Sequence, residues 1–215
     1  MVRALLALAT VLSAGCAQKS EHATTHAPPE KSASDVETPK TNKATPGSEL
    51  VGTRPPAWSL DDWQQSKALT LEELRGQVVV LRFWTSPNCP FCKKSLPAMQ
   101  GLADEFQDQP VSFIGAYHAK PRGSIKSMEE PMKTAKEWGI RFPLALDRDW
   151  NTLTQWWLST GSRRATSATF VLAKDGTIAH VHPGPEFFPS KLATDAAPNA
   201  DYVAIRQAIK RELDR

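Results

Sequence analysis

Thiols are scarce in this sequence. Its 215 residues hold three cysteines, Cys16, Cys89 and Cys92, and its five histidines are scattered rather than paired at ligand spacing. A zinc site built on Cys89 and Cys92 needs two more ligands, and neither Cys16 nor the histidines supply them at the usual intervals. Charge of one sign is also lacking. Lys and Arg number 26 against 23 Asp and Glu, a net +3 with the signs interleaved, which argues against nucleic acid as a partner and describes a mixed solvated surface. Ala4 to Ala14 is almost wholly apolar, yet it falls well short of the roughly 20 residues that a membrane-spanning helix requires. Aromatic residues are missing from Ala17 to about Glu49, where Val36 is the one valine among Lys, Glu, Ser, Thr, Ala and Pro. That stretch cannot bury enough apolar surface to fold.

The short apolar run is itself informative. Met1-Val2-Arg3, the run to Ala14 and then Gly15-Cys16 have the layout of an export signal: a charged start, a short apolar stretch and small residues before the cleavage point. Leu12-Ser13-Ala14-Gly15-Cys16 resembles the bacterial lipoprotein signal, in which the cysteine is lipidated and becomes the mature N-terminus. Ser13 departs from it, standing where Leu is usual, with Leu12 one place further back. Lipidation of Cys16 accounts for the odd cysteine, whereas plain secretion leaves a spare thiol in an oxidising compartment. The expected organisation is a signal peptide over 1–15, lipidated Cys16 with a disordered tether over 16–49, and a folded domain over 50–215. A tether of this length spans roughly 30 Å on average and about 110 Å fully extended, so the domain can range near a membrane. His22 and His26, isolated within it, read as uninvolved.

The folded part is organised around Cys89-Pro90-Phe91-Cys92. Val78-Val79-Val80-Leu81 is β-branched and continuously apolar, the pattern of a strand buried on both faces, and Ser86-Pro87-Asn88 is turn chemistry that ends it. The cysteines therefore stand where a strand hands over to a helix. A thiol there faces unpaired backbone N–H groups and the positive end of the helix dipole, which favour thiolate. Cys89 is read as the nucleophile, with Arg82 on the adjoining strand lowering its pKa further. Cys92, one turn on, is read as the thiol that resolves a mixed disulfide. A static disulfide is a weaker reading, because a bridge across two residues closes too small a loop to stabilise much.

Around this centre, Leu69 to Gly76 reads as a short capped helical turn, with Thr70 as N-cap and Glu73 completing a capping box. Leu96, Met99, Leu102, Ala103 and Phe106 recur at helical spacing, so a helix is expected from Cys89 to about Gln107, with a kink at Pro97. Val111 to Tyr117 reads as a strand, Pro131 to Trp138 as a helix stopped by Gly139, Phe142 to Leu146 as a strand and Trp150 to Leu158 as a helix. Trp156 and Trp157 read as core and interface packing. Thr169 to Leu172 and Thr177 to Val181 form a hairpin around Asp175-Gly176, expected as a two-residue turn. A last amphipathic helix is expected from Asn199 to Leu213, with Tyr202, Val203, Ile205, Ala208, Ile209 and Leu213 near one stripe.

Several stretches together resemble the membrane-anchored thioredoxin-like proteins of the TlpA/ResA type: Val51-Gly52, Pro56-Ala57-Trp58-Ser59-Leu60, Leu74-Arg75-Gly76-Gln77 before the strand, Phe83-Trp84-Thr85-Ser86, Cys89-Pro90-Phe91-Cys92, Leu96-Pro97, and Thr169 to Ile178. The resemblance covers about Leu50 to Arg215. It implies an α/β thioredoxin-like fold, a central mixed β-sheet flanked by helices, preceded by the N-terminal extension. It also implies a thiol-disulfide oxidoreductase that exchanges disulfides with protein cysteines through Cys89 and Cys92. The working group is then the redox-active disulfide itself, without cofactor or metal. Clients are protein thiols and disulfides, the electron donor or acceptor is left open, and the membrane is met through lipid on Cys16. The expected location is the bacterial cell envelope, facing the periplasm or the exterior.

Three departures stand out. Pro87-Asn88 lengthens the segment before the first cysteine, Arg82 replaces the buried Asp that thioredoxins keep two residues before the Trp, and Ser167 falls where the family has a cis-proline facing the disulfide. In the implied topology Trp84, Pro90, Phe91, Arg82, Ser167, His118, His182 and Glu186 line the cleft. Taken singly, His118, His180 and His182 read more simply as solvent-exposed loop and strand residues. Two other functions compete. A peroxiredoxin-like peroxidase requires Pro and Thr ahead of the cysteine, where this chain has Arg82 and Ser86, and a copper chaperone would use Cys89, Cys92 and a histidine.

Overall fold

The computed structural model describes residues 44–85, 88–161 and 163–215; the expected signal peptide, Cys16 and the tether up to residue 43, together with Ser86, Pro87 and Ser162, lie outside the described residues. Six strands form one sheet: β1 (Asp61–Gln64), β2 (Val78–Trp84), β3 (Val111–Tyr117), β4 (Leu144–Leu146), β5 (Thr169–Leu172) and β6 (Ile178–His182). Their order across the sheet is β1-β4-β3-β2-β5-β6. The pairs β2–β3 and β3–β4 are parallel, while β1, β5 and β6 join antiparallel to their neighbours, so the sheet is mixed as expected. Among the described residues four α-helices accompany it: α1 (Pro90–Glu105), α2 (Glu129–Glu137), α3 (Asn151–Trp156) and α4 (Ala196–Leu213).

All seven residues of β2 are buried, which is what a strand covered on both faces requires. The period-2 alternation of side chains sends Val78, Val80 and Trp84 to one face, where they pack with Cys92, Leu96 and Met99 of α1, Ala135 of α2 and Ile205 and Ile209 of α4. Val79, Leu81 and Phe83 go to the other, against Leu153, Trp156, Trp157 and Phe170. Trp156 and Trp157 meet Phe170 edge-on at 5.4 and 6.1 Å, the core packing expected of them. Gly115 of β3 leaves room in the first core for Leu144 and Trp84. A Cβ there would stand 2.5 Å from Leu144 Cδ2 and 3.2 Å from Trp84 Nε1.

Several local expectations change. The stretch from Leu71 to Gly76 is a run of turns rather than a helix, yet the capping-box bonds still form: Thr70 N–H donates to Glu73 Oε2 (2.9 Å) and Glu73 N–H to Thr70 Oγ1 (3.2 Å). The hairpin turn is longer than two residues. Gly176 N–H donates to Ala173 O, Ala173 N–H donates to Thr177 O, and Gly176 takes φ +80, so Lys174-Asp175-Gly176 forms a three-residue loop. Asp175 holds it by accepting from Thr177 N–H at 2.9 Å. In α4, Val203 is 39% exposed while Glu212 is only 4% exposed, so the buried stripe is rotated from the one expected. Strand β1 was hidden from pattern reading, because Asp61-Asp62-Trp63-Gln64 shows no apolar alternation. Packing also starts earlier than Leu50. Gly47 is buried against Trp157 and Val181, and Glu49 pairs with Arg163.

Candidate active site

Strand β2 delivers the chain to the start of α1, where Cys89 is the N-cap with extended backbone (φ −82, ψ 104) and Pro90 takes the first helical position. A proline suits that position because its missing N–H has no intrahelical partner there. The Cys89 sulfur accepts the Cys92 N–H at 3.3 Å. Both are free thiols, and their surroundings push them apart. Cys89 is half-buried and its pKa falls from 9.0 to about 6, chiefly because the Cys92 thiol hydrogen-bonds to it, helped by the backbone N–H groups of Cys92 and Phe91 and by the charge of Arg82, against the cost of burial. Cys92 is fully buried and its thiol is pushed up, first because it donates that hydrogen bond, then by desolvation; Arg82 pulls the other way. One sulfur is thus an anion at neutral pH, and the other holds its proton.

A shallow cavity of about 310 Å³ opens beside Cys89, lined by Thr85, Asn88, Cys89, Pro90, Phe91 and Lys120. Pro90 and Phe91 therefore border it, and Phe91 is 41% exposed. Lys120 was not among the expected site residues. Its position just beyond the C-terminal end of the parallel strand β3 is the signal that places it on the cysteine side.

The remaining expected residues separate into two groups. Trp84 and His118 do not line the cleft. Trp84 is fully buried, edge-on to Tyr117 at 4.8 Å, with its indole N–H unpartnered. His118 is also fully buried, neither in the cleft nor in solvent. It stands edge-on to Trp150 at 5.3 Å with both ring nitrogens unpartnered, and burial, then Lys120 and Arg82, hold its pKa down to about 3.

Arg82, Ser167, His182 and Glu186 instead gather beneath the cysteines. Alternation along β2 turns Arg82 toward the α1 side, and the residue is fully buried. Its Nη1 donates to Ser167 O (3.0 Å) and Thr169 Oγ1 (2.8 Å), and its Nη2 to Pro185 O (2.9 Å). Its Nε has no partner, and the guanidinium lies 4.8 Å from the centre of the Phe187 ring. Burial lowers its pKa to about 10, so it stays charged at neutral pH, supported by Cys92, Cys89 and Glu186. The segment after β6 closes over it: Ser167 Oγ donates to Pro185 O (3.2 Å), and Phe187 N–H donates to Ser95 Oγ of α1 (3.1 Å).

Glu186 is an ion-pair partner of Lys94 at 3.3 Å, without hydrogen-bond geometry, so its Oε2 stays unbonded. His182 is buried edge-on to Phe187, with Nε2 3.3 Å from Asp201 Oδ2. Burial first, with Arg82 adding, lowers its pKa. Ser167 follows an ordinary trans bond: among the described residues the cis peptides are Lys120–Pro121 and Gly184–Pro185. Also among the described residues, no group of three or more His, Cys, Asp or Glu side chains is placed to hold a metal ion, and no helix is long and apolar enough to cross a membrane.

The pattern of the AhpC/TSA family matches residues 51–181. Protein DipZ of Mycobacterium bovis is 28% identical over 159 residues, which are 70% of this chain and 22% of that protein. The thiol-disulfide oxidoreductase ResA of Halalkalibacterium halodurans is 26% identical over 120 residues, 56% of this chain and 61% of that one. The chain thus spans about a fifth and about three fifths of the lengths of these two relatives. Among solved structures, a putative protein disulfide isomerase from Bacteroides thetaiotaomicron superposes with a TM-score of 0.59 at 20% identity, covering 77% of this chain and 91% of that one. That likeness shows the fold, which is thioredoxin-like.

Proposed function

This chain belongs to the AhpC/TSA family, and on that premise we propose that it is an exported, lipid-anchored thiol-disulfide oxidoreductase acting on the cysteines of other proteins. The observation that carries the reading is the asymmetry of the pair: a half-buried Cys89 with its pKa near 6, beside a cavity, and a buried Cys92 that keeps its proton. The Cys89 thiolate attacks one sulfur of a client disulfide. The client S–S bond breaks, the leaving client sulfur takes up a proton, and Cys89 is left in a mixed disulfide. Cys92 then loses its proton and attacks the Cys89 sulfur, expelling the second client thiolate. Two electrons have passed to the client and the enzyme pair is oxidised; the same steps run backwards with a dithiol client.

Trapping tests this order. Cys92→Ser should accumulate high-mass mixed disulfides that collapse on reduction, and Cys89→Ser should trap almost none. Trapping by Cys89→Ser instead, or by neither while exchange persists, overturns the assignment. A copper chaperone would lose metal in both variants and trap clients in neither, and a peroxidase would consume peroxide when reduced. The anchor is supported by the short apolar run and its Gly15-Cys16 ending. Cys16→Ala should move the protein from membrane to soluble fractions of the cell envelope; unchanged fractionation overturns lipidation.

A further inference from the structure

We propose that Arg82, a charged guanidinium sealed under the cysteine pair, stabilises the reduced form so strongly that the pair works as a disulfide donor, and that its clients are reduced dithiols. The inference rests on the exchange chemistry proposed above and adds its direction.

The argument starts from where the charge is and what faces it. Arg82 is fully buried, its three hydrogen bonds go to neutral oxygens of Ser167, Thr169 and Pro185, and its Nε has no partner. Neutral carbonyls and a hydroxyl satisfy donors but do not balance a charge taken out of water. The groups that face it are few. Phe187 offers a ring face, the pKa values of His118 and His182 are lowered first by burial with Arg82 adding, Asp201 is taken up by His182, and Glu186 is shared with Lys94. The remaining anion is supplied by the cysteines, whose charges interact with Arg82.

Only the reduced pair has a thiolate. Forming the Cys89–Cys92 disulfide removes that anion and leaves the buried cation less compensated, so the oxidised state is the one that loses. A dithiol whose reduced form is stabilised is an oxidant.

The step balances. A client dithiol loses two protons and two electrons and becomes a disulfide, the Cys89–Cys92 bond breaks, Cys92 takes one proton, Cys89 remains thiolate and the second proton goes to solvent. The class of reaction that must follow is reoxidation of the pair by a two-electron acceptor of still higher potential.

The test is the equilibrium of the purified full chain with glutathione redox buffers, read as the fraction of Cys89/Cys92 alkylated. Wild type should lie at least tenfold to the oxidising side of thioredoxin in its exchange constant. Arg82→Met should move the constant at least tenfold toward the disulfide, about 30 mV more reducing, and Arg82→Lys, which keeps the charge, should recover most of that change. Glu186→Gln should move it the opposite way, by threefold or more, because the competing anion is gone. A merely structural Arg82 would not give shifts of opposite sign. If Arg82→Met fails to fold, Glu186→Gln decides alone. A change below twofold in either folded variant, shifts of the same sign, or a wild type more reducing than thioredoxin overturns the proposal. If the pair does not exchange with glutathione at all, the exchange reading itself fails, which is a separate outcome.

Discussion

Arg82 and Phe83 are neighbours on one strand, both fully buried, and they face opposite sides of the sheet. Behind Phe83 the second core is aromatic and aliphatic: Phe83 meets Phe170 edge-on at 6.2 Å, and Trp156 and Trp157 close on the same ring. Behind Arg82 the first core carries a guanidinium, a buried thiol, unbonded imidazole nitrogens and a carboxylate oxygen without a hydrogen bond. Unpaired buried polar groups cost stability, and well-packed apolar ones supply it. Both faces of β2 are packed apolar cores that hold the fold, and the one behind Arg82 also gives up part of that stability to the chemistry at Cys89.

The division can be broken first where it is strongest. Phe83→Ala should lower unfolding free energy by about 3–5 kcal/mol, seen as a lower denaturant midpoint. Alkylation of Cys89 in the still-folded protein should keep its pH profile. A profile that moves with this variant would mean the two faces are not independent.

A second measurement sharpens the contrast from the chemical side. Alkylation rate against pH should inflect near 6 for Cys89, against 9.0 for an ordinary thiol. Because the folded pKa is the lower one, the thiolate's contribution to the reduced protein is fully present above the unfolded value and is lost as pH falls through about 6. Cys92, whose folded pKa is raised, works the other way above the ordinary thiol value, so the stability of the reduced protein relative to the oxidised one should rise from about pH 6 to about pH 9 and gain nothing beyond it. Coincident melting curves for the two forms across that range would contradict the assignment.

The smallest effect concerns His118. Its folded pKa, about 3, lies below the ordinary 6.5, so the unfolded chain takes up a proton first and stability falls as pH drops from 6.5 toward 3. His118→Leu should lessen that acid loss and leave exchange at neutral pH unchanged. An identical acid titration of wild type and variant would mean the imidazole is not held neutral.

Much of this was readable along the chain. The apolar run ending in Ser86-Pro87-Asn88 marked both β2 and the start of α1, and the five-residue helical recurrence from Leu96 marked the helix. Strand β3 runs over the residues expected of it, because Val111 to Tyr117 has strong strand composition and clear limits. Other parts were not readable. Asp61-Asp62-Trp63-Gln64 becomes an edge strand because β4 offers it a partner, and the capping box at Thr70 forms its bonds without a helix because too few residues follow before β2. Long-range pairing decides both. Histidines gave no signal of their surroundings, since the same residue type suits solvent and core. The sequence distinguishes neither His118, sealed against Trp150, nor His182, sealed against Phe187.

By itself the amino-acid order determined that a strand delivers two cysteines to a helix start, one turn apart, since turn residues and apolar spacing act over a few residues and need no distant partner. It also determined, through the AhpC/TSA match over residues 51–181, the family. Only the tertiary structure decided how the two sulfurs differ. That depends on burial, on Arg82 arriving from β2 and on the segment from Pro185 to Phe187 folding back under α1, and such groups are brought together across about a hundred residues of chain. Electrostatic fields in a dry interior follow distance in space, which a sequence does not print.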